Sequence, residues 1–296
     1  MTRPAALDGA PRAATIGVDV GGTNVRAAKI WPDGALSGLL KVRTDSMSSI
    51  PDLVEGLVRR LLDDDVVAVG VGIPGRLDRD GRTALSAGFV NLAGVALGEL
   101  LSARIARPVI LDNDAHMALV AELAVGAAKA ADHAVMFTVG TGIGGAVAES
   151  RRVLRGRGNA GQLGHLTVDP AGPACKCGRY GCSEVFVSGT AVNGYIADAG
   201  LPKGTTVESL LRTRDHDPAA ATVLDRWATA WRHAIDSAVA AFDPDLVVLG
   251  GGLGFAAATA LRNVAPTSPW FDCPVVAAVL GDDAGVIGAG LRAFSA

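Results

Sequence analysis

Apolar and polar positions follow two rhythms along this chain. A short apolar run from Thr15 to Asp19 meets Gly21-Gly22-Thr23 and resumes from Val25 to Ile30, which predicts a strand, a glycine turn and a second strand, with no helix after the glycines. Val66 to Ile73 is another apolar run, closed by Pro74-Gly75. Helical spacing over Leu97 to Ile105 precedes Pro108 and the strand-like Val109-Ile110-Leu111. Such alternation implies an α/β first half.

Asn113 to Ala131 reads as a long Ala-rich helix whose start would suit the cluster Asp112-Asn113-Asp114. Ala134 to Val139 then predicts a strand into Gly140-Thr141-Gly142-Ile143-Gly144-Gly145, with strand character resuming at Ala146. The second half thus opens as the first does, hinting at an internal duplication. Residues 151–183 are rich in Gly, Arg, Pro and Cys and lack periodicity, so something besides a core must hold them. Helical patterns return at Thr190 to Ala199 and from Pro218 to Ala241, the latter with Asp217 as cap. Leu246 to Leu249 predicts a strand into Gly250-Gly251-Gly252, and Asp282 to Phe294 a closing helix.

Composition narrows the class. At 296 residues, two lobes are expected, divided at 1–116 and 117–282 with the closing helix 283–296 joined to the smaller first lobe. A hydrophobic fraction of 49% against 19% charged residues fits a packed globular chain. Net charge is −3 with scattered Lys and Arg, which argues against a nucleic-acid partner. The first fourteen residues have no long apolar core and read as a frayed tail, and no apolar run is long enough for a membrane span. A cytoplasmic location, where thiols stay reduced, is the expectation.

Several constellations could carry chemistry. In Asp19-Val20-Gly21-Gly22-Thr23, a turn with two positions free of side chains lets backbone N–H groups and the Thr23 hydroxyl approach a phosphate, with Asp19 holding Mg²⁺. The plain alternative is a tight hairpin whose glycines supply positive φ. Gly140, Gly142 and Gly145 satisfy G-x-G-x-x-G, but a dinucleotide fingerprint must open a helix and strand follows here. Asp114 is either part of a helix cap or a carboxylate able to take a hydroxyl proton. The most specific segment runs from Gly161-Gln162-Leu163-Gly164-His165 to Cys175-Lys176-Cys177-Gly178-Arg179-Tyr180-Gly181-Cys182-Ser183-Glu184. One imidazole and three thiolates form the closed, tetrahedral ligand set of a structural zinc. Zinc on one nitrogen of His165 would leave the other for a substrate hydroxyl.

Together these motifs resemble the ROK family of sugar kinases and repressors, with its two-domain actin-like, ribonuclease-H-like fold and interdomain cleft, from Thr15 to Phe294. The resemblance implies a first phosphate motif at Asp19, Gly21, Gly22 and Thr23, a second at Thr138, Gly140, Thr141 and Gly142, and an adenosine motif that includes Gly251 and Gly252. It implies Asp114 as the catalytic base, sugar ligands at Asn91, Asn113, Asp114, His165 and Glu184, and zinc on His165, Cys175, Cys177 and Cys182. One departure stands out. Gln162 occupies the place of the family's usual Glu in E-x-G-H, so a carboxylate beside the sugar becomes a neutral amide.

The expected function is transfer of the ATP γ-phosphoryl group to a hexose, glucose at its 6-hydroxyl first, with Mg²⁺ on the phosphates and a homodimer or homotetramer as the assembly. Kinases for kanosamine or N-acetylated hexosamines are the alternative, though losing a negative charge at Gln162 disfavours a cationic amine unless Asp112 compensates. A sugar-responsive repressor is a further alternative, weakened by the short tail before the first glycine turn and the lack of a Lys/Arg-rich recognition helix. A sugar-binding protein without catalysis is disfavoured by Asp114 and the two turns.

Overall fold

The computed structural model describes residues 13–44, 49–86 and 92–295. It splits into two compact units, residues 1–125 with 156–159 and 283–296, and residues 126–155 with 160–282. The expected division at 116/117 therefore moves to 125/126, and four residues of the irregular segment change sides.

The first unit begins with β1 (Ala14–Val20), β2 (Asn24–Ile30), β3 (Leu36–Arg43), α1 (Ile50–Leu61) and β4 (Val66–Ile73). The short β5 (Arg76–Leu77) and β6 (Ala84–Ser86), α2 (Leu97–Ile105), β7 (Val109–Asn113) and α3 (Asp114–Val125) follow. Its sheet runs β3-β2-β1-β4-β7, antiparallel in the β1–β2 hairpin and parallel from β1 to β7. The hairpin, β4 and α2 appear where the apolar pattern places them, while β3 and α1 did not stand out in it. The predicted helix 113–131 is shorter, because Gly126 follows Val125 and the chain then turns through Gly126–Ala131, where Lys129 N–H donates to Gly126 O at 3.2 Å. The predicted tail falls almost wholly on residues 1–12, outside the described residues. Residues 156–159 complete this unit: Arg76 Nε donates to Asn159 Oδ1 at 2.7 Å, and Gly158, at φ 93°, lies against the Leu77 carbonyl.

The second unit repeats the plan with β8 (Ala134–Val139), β9 (Ile143–Glu149), β10 (Arg152–Val153), α4 (Glu184–Val187), α5 (Gly189–Asp198), α6 (Val207–Thr213), α7 (Pro218–Phe242), β11 (Leu246–Gly250), α8 (Gly254–Leu261) and β12 (Val275–Ala277). Its sheet runs β10-β9-β8-β11-β12, again a hairpin followed by parallel strands, so the predicted duplication holds for topology. Asp217 caps α7 by accepting from Ala219 N–H at 2.9 Å and Ala220 N–H at 3.3 Å, with Pro218 in the first turn. Trp227 and Trp231 of α7 are fully buried; Trp231 meets Phe137 edge-on at 5.4 Å, and Trp227 Nε1 donates to Val187 O at 2.9 Å.

The closing helix is α9 (Ala284–Ala293), slightly shorter than predicted because Gly281–Asp283 form a 3₁₀ turn. It packs on the first sheet, where Gly17 and Gly70 are register partners on adjacent strands. A methyl group on Gly17 would fall 1.9 Å from Val286 O, and one on Gly70 1.8 Å from Ala289 O. The two glycines thus let the helix backbone settle onto the strands. Gly288 does the same towards α3, where a methyl would meet Met117 O at 1.7 Å, and Thr15 Oγ1 ties the end of α9 through Gly290 O at 2.7 Å.

Candidate active site

In the first unit, the predicted residues gather at the carboxyl ends of parallel strands, where α/β sheets present ligand sites. Asp19 of β1 is level with Gly72 of β4, which is level with Asp112 of β7. The first turn is closed by Gly21 N–H donating to Asn24 O at 2.9 Å and braced by Thr44 Oγ1 donating to Gly21 O at 3.1 Å, with Gly22 and Thr23 exposed. Neither Gly21 nor Gly22 has a positive φ, so the plain hairpin explanation for these glycines does not apply. Asp19 lies against the first turn of α9, where a methyl on Gly285 would sit 2.8 Å from its Cγ.

Asn113 and Asp114 form the junction of β7 and α3. Asn113 Oδ1 accepts from Ala115 N–H at 3.0 Å and His116 N–H at 3.3 Å, and its Nδ2 donates to Gly75 O at 3.0 Å. The amide oxygen is therefore spent on starting α3, which leaves at most an N–H for a ligand. Buried Asp112 accepts from Asn113 N–H and contacts His116 Nδ1, each at 2.8 Å. This clamp holds the junction. The sequence reading missed His116, whose only signal is its spacing of four from Asp112.

Asp114 Oδ1 accepts from Ala115 N–H at 2.8 Å. Burial pushes its carboxyl up from 3.8 to about 6, a rise offset in part by the Ala115 N–H, His116 and the Asn113 amide. A base with that value is ionised at neutral pH yet close enough to it to take and return a proton. Asn91, the remaining predicted sugar ligand, lies outside the described residues.

In the second unit, Thr138, the last residue but one of β8, is level with Gly144 on one side and Gly250 on the other. The second turn is anchored through its carbonyls: Gly140 O accepts from Gly189 N–H at 2.8 Å, and Thr141 O accepts from Thr190 Oγ1 at 2.8 Å. The strand β9 that follows confirms that this is no dinucleotide fingerprint. Glu184, at the start of α4, reaches the same turn, its Oε2 accepting from Ile143 N–H at 2.9 Å. A methyl on Gly142 would lie 2.6 Å from that oxygen, so here glycine answers to space rather than to φ.

The Gly250–Gly254 loop folds back on the same edge. Gly251, at φ 76°, has room for no side chain, since a methyl would be 2.7 Å from Val139 N and O. Gly252 faces a cavity of about 420 Å³, also lined by Glu208, Leu211, Arg212, Phe255, Ala256 and Thr259. Phe255 is 68% exposed. Of these lining residues, Glu208, Leu211 and Arg212 escaped sequence reasoning because α6 comes to the loop from about forty positions away, whereas Phe255, Ala256 and Thr259 follow it directly in α8.

His165, Cys175, Cys177 and Cys182 converge. One donor atom from each lies within 4.8 Å of all the others. His165 Nδ1 is 3.7 Å from Cys175 Sγ, and Cys177 Sγ is 3.6 Å from Cys182 Sγ. Tetrahedral zinc with ordinary Zn–S and Zn–N lengths needs donor separations of about 3.5–3.8 Å. The donor set therefore fits. The loop is shaped by Cys175 N–H donating to Arg179 O at 2.7 Å and by Gly178 and Gly181 at φ 88° and 64°. Arg179 ties it back to His165 O at 3.0 Å and to Thr167 Oγ1 at 2.6 Å. Burial pushes the Cys182 thiol up to about 12, whereas the Arg179 N–H lowers Cys177; a bound cation would bring all three to thiolates. Gln162 precedes the 3₁₀ turn Leu163–His165, its carbonyl accepting from His165 N–H at 3.0 Å.

The ROK family model matches residues 15–293. Similar proteins include a glucokinase of Thermotoga maritima, 32% identical and aligned over 94% of this chain and 96% of that protein. An N-acetylmannosamine kinase of Pasteurella multocida is 31% identical over 93% and 94%. Among solved structures, a ROK family glucokinase from Streptomyces griseus in complex with glucose and AMPPNP is 29% identical, with a TM-score of 0.80 over 96% of this chain and 100% of that one. The fold is the two-domain actin-like ATPase fold. The chain belongs to the ROK family and falls among its sugar kinases.

Proposed function

We propose that this sugar kinase transfers the γ-phosphoryl group of ATP to a hexose, glucose at its 6-hydroxyl being the expected acceptor, with Asp114 as general base. The observation that carries the reading is Asp114 itself: a carboxylate at a helix start, clamped by Asn113 and the Asp112–His116 pair, with its proton affinity raised by burial to about 6. Phosphoryl transfer asks the protein mainly for positioning and charge stabilisation. The two glycine turns supply backbone N–H groups for phosphates, Asp19 stands ready for Mg²⁺, and the cavity beside Gly252 offers the exposed Phe255 ring to a nucleobase.

Glu184 and His165 act on sugar hydroxyls in this reading, and Asn91 and Asn113 add donors. Zinc on His165 Nδ1, Cys175, Cys177 and Cys182 supplies rigidity; His165 Nε2, on the opposite side of the ring, is then held for substrate. Gln162 makes the sugar face one negative charge poorer than in relatives carrying Glu, which favours neutral hexoses over amines. An N-acetylated hexosamine is the second acceptor class, supported by the similarity to the N-acetylmannosamine kinase. A coupled ADP-release assay over glucose, mannose, N-acetylmannosamine, N-acetylglucosamine and kanosamine tests this: glucose should give the highest kcat/KM, and turnover of none of them would sink the proposal.

A further inference from the structure

Among the residues of the metal loop, Lys176 has no ligand role, yet its position ties that loop to the second glycine turn. Its side chain is 78% exposed, and its Nζ lies 3.4 Å from Glu184 Oε1. The other oxygen of that carboxylate already accepts the Ile143 N–H at 2.9 Å, inside the turn. A methyl on Gly142 would lie 2.6 Å from Glu184 Oε2 and 3.8 Å from Lys176 Nζ. The ammonium and the carboxylate thus both border the backbone that would cradle phosphates.

This arrangement poses an electrostatic problem. The side chain of Glu184 is only 12% exposed, so its charge is weakly screened, and it adjoins the turn assigned to a polyanionic nucleotide. A lone carboxylate there would repel phosphate. We propose that Lys176 is a positioning residue for the phosphoryl donor: it neutralises and orients Glu184, so that the carboxylate can brace the turn and face the sugar without opposing the nucleotide's phosphates. The inference rests on the kinase reading above and adds a residue to it. Lys176 itself is 78% exposed and reaches Glu184 only at 3.4 Å, so its loss should cost folding little and act on binding.

The test uses the full-length, zinc-replete protein and the affinity for Mg·AMPPNP, measured by calorimetry at low and high salt. Lys176→Gln should weaken binding by about three- to tenfold at low ionic strength, with a smaller loss in about 0.5 M salt as screening sets in. Lys176→Arg should stay within about twofold of the parent, since the charge is kept. In a Glu184→Gln background, Lys176→Gln should change affinity by less than about twofold, because no carboxylate remains to be neutralised. In turnover, KM for ATP should rise more than kcat falls. Unchanged affinity in Lys176→Gln, or an equal loss in the Glu184→Gln background, would overturn the inference. So would loss of bound zinc or of thermal stability in Lys176→Gln, which would mark Lys176 as part of the loop's fold. The kinase reading fails separately, by absence of sugar turnover in the parent protein while the affinity pattern stands.

Discussion

In the first unit the five strands run β3-β2-β1-β4-β7, and in the second β10-β9-β8-β11-β12, each with a glycine-turned hairpin feeding a parallel sheet. The first sheet is finished by α9, a helix from the far end of the chain whose backbone rests on Gly17 and Gly70. The second is finished by α7, whose Trp227 and Trp231 bury large side chains, and by an irregular loop with four converging metal donors. The candidate base sits in the regular half, at a strand–helix junction. The candidate shaping residues sit in the irregular half. One topology thus accommodates two local solutions: close backbone approach leaves no room to adjust, while a loop gathered around four converging donors can vary in length and content between them.

The largest expected effect breaks the first half's chemistry and leaves its packing. Asp114→Asn should lower kcat by about 10²–10⁴-fold, as loss of a general base does, with the circular dichroism spectrum retained. Turnover near the parent level would remove Asp114 from the mechanism.

The two local solutions separate next. Gly70→Ala should destabilise the protein by about 3 kcal/mol or more, since the new methyl meets the Ala289 carbonyl at 1.8 Å and must displace α9. Gly194→Ala in α5, where a methyl meets nothing within 4 Å, should instead stabilise by about 0.5–1 kcal/mol. Urea titration of both variants checks the sign. Metal chelation should act on the other half: amide-exchange protection should fall at residues 163–184 and the Tm by on the order of 10 °C, while β1, β4 and α9 keep their protection. Equal loss in both halves would mean that the metal loop does not act locally.

The smallest effects are those of pH. Because the Asp114 pKa is raised from 3.8 to about 6, the folded chain binds the proton more tightly than the unfolded chain. Its contribution to stability is therefore greatest in acid and declines as pH rises through the window from about 4 to 6, by up to about 3 kcal/mol. Asp114→Asn should remove that slope, so that its stability relative to the parent rises as pH goes from about 4 to 7. Activity runs the opposite way: kcat/KM should fall as pH drops below about 6, where the base becomes protonated.

Local pattern and special spacing were enough to place many elements from the amino-acid sequence alone. The first hairpin, β4, α2, β8, the capped start of α7 and the closing helix are punctuated by Gly, Pro or a capping Asp, and such signals act within a few residues. The Cys and His spacing likewise announced its donor set, because a tetrahedral site needs those atom types and little else. Weakly marked elements such as β3 escaped notice, as none of its residues is buried at this sheet edge and no regular apolar alternation results. Other features are decided by long-range packing: α9 joining the first unit, residues 156–159 joining it too, and His116 clamping Asp112. So are the meeting of Glu184 with the Ile143 N–H and the placing of Lys176 beside both. Their energies depend on which surfaces meet, information that no local window contains. The two glycine turns show the limit most clearly: the residues were legible, but only the neighbours show that Gly142 is small to make room for a carboxylate.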